Sequence, residues 1–219
     1  MSIQVKNMER ASMLEFDEIY RILLKENGPR KWWPTKTSNK KFEISIGAIL
    51  TQNTNWSNVE KALDNLIKHN LLSQEEIRKI DAKKLAMIIK SSGYHNQKAK
   101  KLKEFIKFLD SKKQINRENL LNVWGIGKET ADSILLYSYN QPIFVIDAYT
   151  KRIFNRLGFK EQSYDELQNL FMNNLKKDAD LFKEYHALIV MHGKTVCKTK
   201  PLCSGCCLNN GCNFSKSTS

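Results

Sequence analysis

Proline is scarce in this chain, with four in 219 residues. Pro29, Pro34, Pro142 and Pro201 all fall between segments whose apolar residues repeat at helical spacing, so they end helices rather than break them. No apolar run approaches the roughly eighteen residues of a membrane span, and the first residues lack the uninterrupted hydrophobic core of a secretory signal. These absences predict a protein that neither crosses a membrane nor is exported, placed in the cytoplasm and associated with the nucleoid in a bacterial host. Internal repeats, low-complexity tracts, Gly/Ser linkers and strand-like alternation are also missing, which excludes solenoids, tethered modules and sheet folds. Acids are outnumbered: 36 Lys and Arg face 23 Asp and Glu, for a net charge of +13. Such a balance fits a polyanionic partner, with a merely solvated basic surface as the alternative.

What is present is helical periodicity. Met13, Phe16, Tyr20 and Leu23 form one apolar face; Val59, Leu63, Leu66 and Ile67 another; Leu102, Phe105, Ile106 and Leu109, then Leu181, Tyr185, Leu188 and Ile189, two more. The fold is expected to be all-α. Lys98, Lys100, Lys101, Lys103 and Lys107 crowd one of these segments and read as a solvated helix face able to graze a phosphate backbone. The four histidines, His69, His95, His186 and His192, show no metal-ligand spacing and are assigned no chemistry.

Four cysteines are packed into residues 197–212. Cys197, Cys203, Cys206 and Cys212 read C-x5-C-x2-C-x5-C, with few apolar neighbours to bury free thiols. In a reducing compartment such a set binds a metal rather than forming disulfides. Zinc is the rival, but structural zinc sites pair two C-x2-C knuckles and here only Cys203 and Cys206 make one, so the spacing leans toward a single four-iron cluster. Cys207, adjacent to a ligand, is read as a bystander. The lobe carries Lys198, Lys200 and Lys216 and no acid, which favours phosphate contact.

Two further segments carry chemistry. In Val123-Trp124-Gly125-Ile126-Gly127-Lys128-Glu129-Thr130-Ala131, two glycines sit at a turn before a helical face; glycine tolerates positive φ and lets backbone N–H groups approach an anion. Twenty residues past Gly127, Asp147 follows the apolar run Phe144-Val145-Ile146. A carboxylate there is a helix N-cap, a catalytic charge at the edge of a buried strip, or both.

This hairpin, the I-D-A-Y-T-K-R-I-F-N-R-L-G stretch beginning at Ile146 and the four cysteines together resemble the helix-hairpin-helix DNA glycosylases of the endonuclease III superfamily, over roughly residues 35 to 213. The first cysteine gap, five residues, departs from the six typical of endonuclease III. The resemblance implies a two-lobed helical protein. Residues 35–146 would form a six-helix barrel ending in the hairpin, and 1–34 with 147–219 a second domain carrying the iron–sulfur loop. It implies that Gly125, Ile126, Gly127, Lys128 and Thr130 hold a DNA phosphate, with a monovalent cation at the hairpin, and that Asp147 assists departure of a flipped base. The partner would be double-stranded DNA containing a damaged base, met by a monomer. Bifunctional members carry a lysine two residues after the second glycine; here Glu129 stands there, and a carboxylate forms no Schiff base.

Lys31-Trp32-Trp33-Pro34 and Leu50-Thr51-Gln52-Asn53-Thr54-Asn55-Trp56 resemble the 3-methyladenine glycosylase branch. There Trp32, Trp33 and Trp56 would line the base pocket, the indole faces attracting a cationic alkylated base; tandem tryptophans as core anchors are the alternative. Gln52 or Asn53 would fill the gap left by the flipped nucleotide, with Asn53 the better match. The function expected is base excision of alkylated purines without strand cleavage. The alternatives are an endonuclease III-like remover of oxidised pyrimidines with lyase activity, and a non-catalytic DNA-binding module.

Overall fold

The computed structural model describes residues 14–30, 32–159 and 163–218. Met13 and Lys31 lie outside the described residues. Helices are the only regular elements among the described residues, and none is long and apolar enough to cross a membrane. The chain divides into two compact units, Trp33–Gln141 and Met1–Trp32 with Pro142–Ser219.

The Trp33–Gln141 unit contains α1 (Lys40–Leu50), α2 (Trp56–Lys68), α3 (Gln74–Lys79), α4 (Ala82–Ile88), a 3-10 turn (Lys90–Ser92), α5 (His95–Asp110), α6 (Arg117–Leu121) and α7 (Lys128–Ser133), which runs on into a π-helical turn, Ile134–Ser138. Sequence sets most of the starts. Side chains of Asn39, Asn55, Ser73, Asp81 and Asn116 accept backbone N–H groups of the turns they precede, satisfying donors that helix geometry leaves without partners. The core helix is α1, buried from Phe42 to Leu50, packed against α2, α5, α7 and the π turn.

One basic residue departs from expectation. Lys98 is not solvated but 1% exposed, because it lies four residues before Leu102 on the apolar face of α5. Its ammonium donates to the carbonyls of Leu50 at 2.8 Å and Ser92 at 2.6 Å, so a buried charge ties the end of α1 to the 3-10 turn. Burial, with a contribution from Lys101, lowers its pKa to about 8; the two carbonyl dipoles act the other way, favouring the charged form.

The other unit holds α8 (Phe16–Asn27), α9 (Ala148–Leu157), α10 (Tyr164–Asn174), α11 (Ala179–Thr195) and α12 (Asn213–Thr218). Its core is aromatic. Phe144 stacks on Phe171 with centroids 3.8 Å apart, and Phe16 meets Phe154, Phe159 and Phe171 within 5.3 Å. The run Phe144-Val145-Ile146 is fully buried without joining a sheet. Its backbone polar groups find side chains instead: Gln168 Nε2 donates to the Phe144 carbonyl at 2.6 Å, and the Ile146 N–H donates to the Tyr164 hydroxyl at 3.4 Å.

The depressed pKa of Lys98 has a signed consequence. Between pH 8 and 10.5 the unfolded chain binds more protons at this residue than the folded one, so its contribution to stability rises with pH across that window and is flat below it. Stability of wild type relative to Lys98→Met, from denaturant melts at a series of pH values, should climb by up to about 3 kcal/mol through the window; a flat difference counts against the buried ammonium.

Candidate active site

Asp147 closes the buried run and caps α9. Its Oδ1 accepts from the Thr150 N–H at 2.7 Å and the Thr150 hydroxyl at 2.8 Å, and its Oδ2 faces His186 Nε2 at 3.6 Å. The side chain is 12% exposed. Burial pushes the carboxyl pKa up, but His186 and the two Thr150 donors outweigh it and hold the group below its ordinary value. At 3.6 Å the imidazole is beyond a direct hydrogen bond and acts as a neighbouring charge when protonated. Sequence reasoning missed His186. It stands 39 positions from Asp147, on α11, and no local pattern links the two.

The hairpin lies in the Trp33–Gln141 unit. Gly125 has φ +83°, a conformation that favours glycine, and a Cβ there would fall 2.5 Å from Cγ of Lys101. The Ile126 N–H closes the turn onto the Val123 carbonyl at 3.1 Å, while the Ile126 side chain is buried. Gly127 is the N-cap of α7, so the N–H groups of its first turn run out past Lys128 and Glu129, both exposed. Thr130 is buried and its hydroxyl accepts from Gln52 Nε2 at 3.0 Å; the same nitrogen donates to the Gly125 carbonyl at 3.1 Å. Thr130 and Gln52 thus face each other inside the unit, while Asn53 is exposed, in left-handed conformation with φ 53°.

Trp33 and Trp56 meet. Trp33 packs edge-on against Trp56 at 5.1 Å and tilts over Tyr137 at 5.1 Å. Gly47 gives it room, since a Cβ there would lie 3.3 Å from the indole. Both rings are half-exposed. Trp32 belongs to the other unit.

Cys197, Cys203, Cys206 and Cys212 line one partly open pocket together with Arg156 and Phe214. Cys207 is not among its lining residues; burial, then Cys206 and Glu26, push its thiol up to about 11. The Cys206 thiol is raised first by burial and then by the other three cysteines of the set, which places all four within electrostatic reach. Among the described residues, no three His, Cys, Asp or Glu side chains converge as a single ion requires. Four thiols about one pocket are a donor set suited to a thiolate-bound metal group. Two arginines one turn apart on α9 build the wall. Arg152 donates to the Gly193 and Cys197 carbonyls, each at 2.9 Å; Arg156 donates to Cys197 Sγ at 3.2 Å and to the Lys198 and Thr199 carbonyls, and lies over the Phe214 ring.

The chain belongs to the HhH-GPD superfamily of base excision DNA repair proteins, whose model matches residues 46–177, and its activity is that of a DNA glycosylase. It is 45% identical, over 89% of its length and 94% of the relative's, to a provisionally assigned DNA repair glycosylase of Methanocaldococcus jannaschii. It is 32% identical to endonuclease III of Thermotoga maritima over 79% of this chain and 83% of that one. Among solved structures, Helicobacter pylori 3-methyladenine DNA glycosylase bound to 1,N6-ethenoadenine matches with TM-score 0.73 and 33% identity, covering 83% of this chain and 98% of that one. An endonuclease III–DNA complex matches with TM-score 0.82 at 21% identity, covering 94% and 99% of the two chains, a likeness of fold.

Because Arg156 binds three groups of the cysteine segment, Arg156→Met should loosen residues 197–214 while sparing the aromatic core. Loss of these charge-assisted bonds is expected to speed limited proteolysis there by about ten- to a hundredfold. Unchanged cleavage would show that the segment is held by other means.

Proposed function

We propose that this glycosylase is monofunctional and hydrolyses the N-glycosidic bond of alkylated purines of the 3-methyladenine kind, flipped out of double-stranded DNA. The observation that carries the reading is the largely buried Asp147 carboxylate, with Thr150 and His186 at its oxygens, combined with Glu129, not lysine, two residues past Gly127. Breaking the glycosidic bond develops positive charge on the sugar. A fixed carboxylate stabilises that charge and directs water to the anomeric carbon, and with no amine at position 129 water is the nucleophile. The electron-rich indoles of Trp33 and Trp56 suit a cationic alkylated base, each such contact contributing roughly 0.5–2 kcal/mol. The Helicobacter enzyme, crystallised with an etheno-modified adenine, supports the substrate class. Gly125 and Gly127, with the first turn of α7, are assigned to the DNA phosphate, and Asn53 to the gap left by the flipped nucleotide.

Endonuclease III relatives keep a second reading alive, glycosylase with strand cleavage, through Lys128 on the same exposed turn. One experiment separates the two. Duplexes bearing 7-methylguanine or thymine glycol are incubated with wild type and Asp147→Asn, with borohydride present in parallel. Base release from the alkylated duplex, an intact strand before alkali and no trapped adduct are expected. Asp147→Asn retains an N-cap side chain and should lose base release by about 10²–10³-fold without losing DNA binding. Near-normal excision by the variant, or efficient trapping of the wild type, would overturn the assignment.

Cys197, Cys203, Cys206 and Cys212 are proposed to hold a [4Fe–4S] cluster. When bound, such a group supplies a cross-link for a lobe with little apolar core of its own. Anaerobically purified protein should contain about four iron and four sulfide per chain; a single zinc would refute this.

A further inference from the structure

The loop carrying Asn53 is joined to the hairpin by side chains that the reading above leaves without a role. Gln52, next to Asn53, is satisfied at both ends of its amide. Its Nε2 donates to the Gly125 carbonyl and the Thr130 hydroxyl, and its Oε1 accepts from the Lys101 ammonium. A lysine ammonium has no acceptor, so this amide orientation is fixed by chemistry. The stem of Lys101 crosses the bare Cα of Gly125, where Cγ, Cδ and Cε all come within 2.9 Å of the position a Cβ would take. On its other side the loop is held by Lys98 through the Leu50 carbonyl, by the Thr51 hydroxyl donating to the Gly47 carbonyl at 2.7 Å, and by the Thr54 N–H donating to the Thr51 carbonyl at 3.2 Å. Residues 51–54 are therefore a tight turn with its tip, Asn53, pushed outward in left-handed backbone conformation.

Lys101 had every sign of a phosphate-binding residue in sequence: basic, amid other lysines, in a protein of charge +13. Its charge is directed at Gln52 instead. The surrounding polar contacts are few and only part-buried, so they contribute modestly to stability. What they fix is geometry: three elements distant in sequence, α5, the Gln52 turn and the hairpin, are registered through one amide.

We propose that Lys101 and Gln52 form a latch that registers the Asn53 loop to the hairpin, so that the hairpin's grip on the DNA backbone sets where Asn53 enters the duplex. The two are positioning residues: they act through Asn53 and touch neither base nor sugar. The proposal rests on the assignment of the hairpin to phosphate and of Asn53 to the gap.

The test uses the full-length protein and a duplex containing a tetrahydrofuran abasic analogue beside 2-aminopurine, whose fluorescence reports entry of the loop and requires no choice of damaged base. Lys101→Met keeps the stem over Gly125 and removes the ammonium; Gln52→Met removes the amide; Lys101→Arg restores a donor. The two methionine variants should lower the fluorescence change and the single-turnover rate of base release from a 7-methylguanine duplex by about tenfold, the effect of one charge-assisted hydrogen bond. Affinity for undamaged duplex should stay within about twofold with an unchanged salt dependence, and Lys101→Arg should recover most of the signal. A parallel fall in affinity for undamaged duplex, with a shallower salt dependence, would make Lys101 a phosphate contact and overturn the latch, as would wild-type fluorescence and rates in both methionine variants. Should Lys101→Met fail to fold, Gln52→Met decides by the same readouts. Failure of wild type to release 7-methylguanine while the abasic duplex still responds would remove the substrate assignment and leave the latch standing.

Discussion

A carboxylate kept ionised where there is almost no water requires structure on every side of it, and Asp147 shows how much. Burial raises the carboxyl pKa, and the facing His186 and the Thr150 donors act against it and hold it below its ordinary value. Those partners are in place because the three residues before Asp147 are buried, pinned by Gln168 and Tyr164, with Phe144 stacked into the phenylalanine cluster. The aromatic core of this unit is thus also the mount of Asp147. Phe144 links the two roles, its ring against Phe171 and its carbonyl on Gln168.

The Trp33–Gln141 unit solves a related problem with the opposite charge. Lys98 brings a cation into the interior and satisfies it with main-chain carbonyls, one of them the last of α1, where the helix dipole favours positive charge. Around that fixed point the unit presents its short functional segments, the Gln52–Asn53 turn and the glycine hairpin, both backed by buried helices. In each unit the exposed chemistry rests on a charged group that is itself hidden.

Much of this was legible in the sequence, for local reasons. Helices were announced by apolar spacing and by Asn, Asp and Ser at their starts, all-α class followed, and the order of hairpin, Asp147 and cysteines carried the family. Asp147 as both cap and charge could be read from its place after an apolar run. Lys98 was misread because it opens a run of lysines at 98, 100, 101, 103 and 107; its neighbours in phase, Leu102, Phe105 and Ile106, had already been placed on the apolar face, and a step of four residues back from Leu102 lands on it. His186 and the Lys101–Gln52 contact were beyond reach for a different reason. They depend on packing between elements tens of residues apart, which periodicity does not encode.

Helix α9 begins at Asp147, and its arginines at positions 152 and 156 grip the cysteine segment. Ten residues of helix span only about 15 Å. The thiols and the carboxylate are therefore tied to the two ends of a single short rod. Inactivation by an oxidant or a chelator would thus not by itself assign sulfur or a metal a part in breaking the glycosidic bond, because a mechanical fault carried along α9 would produce the same loss.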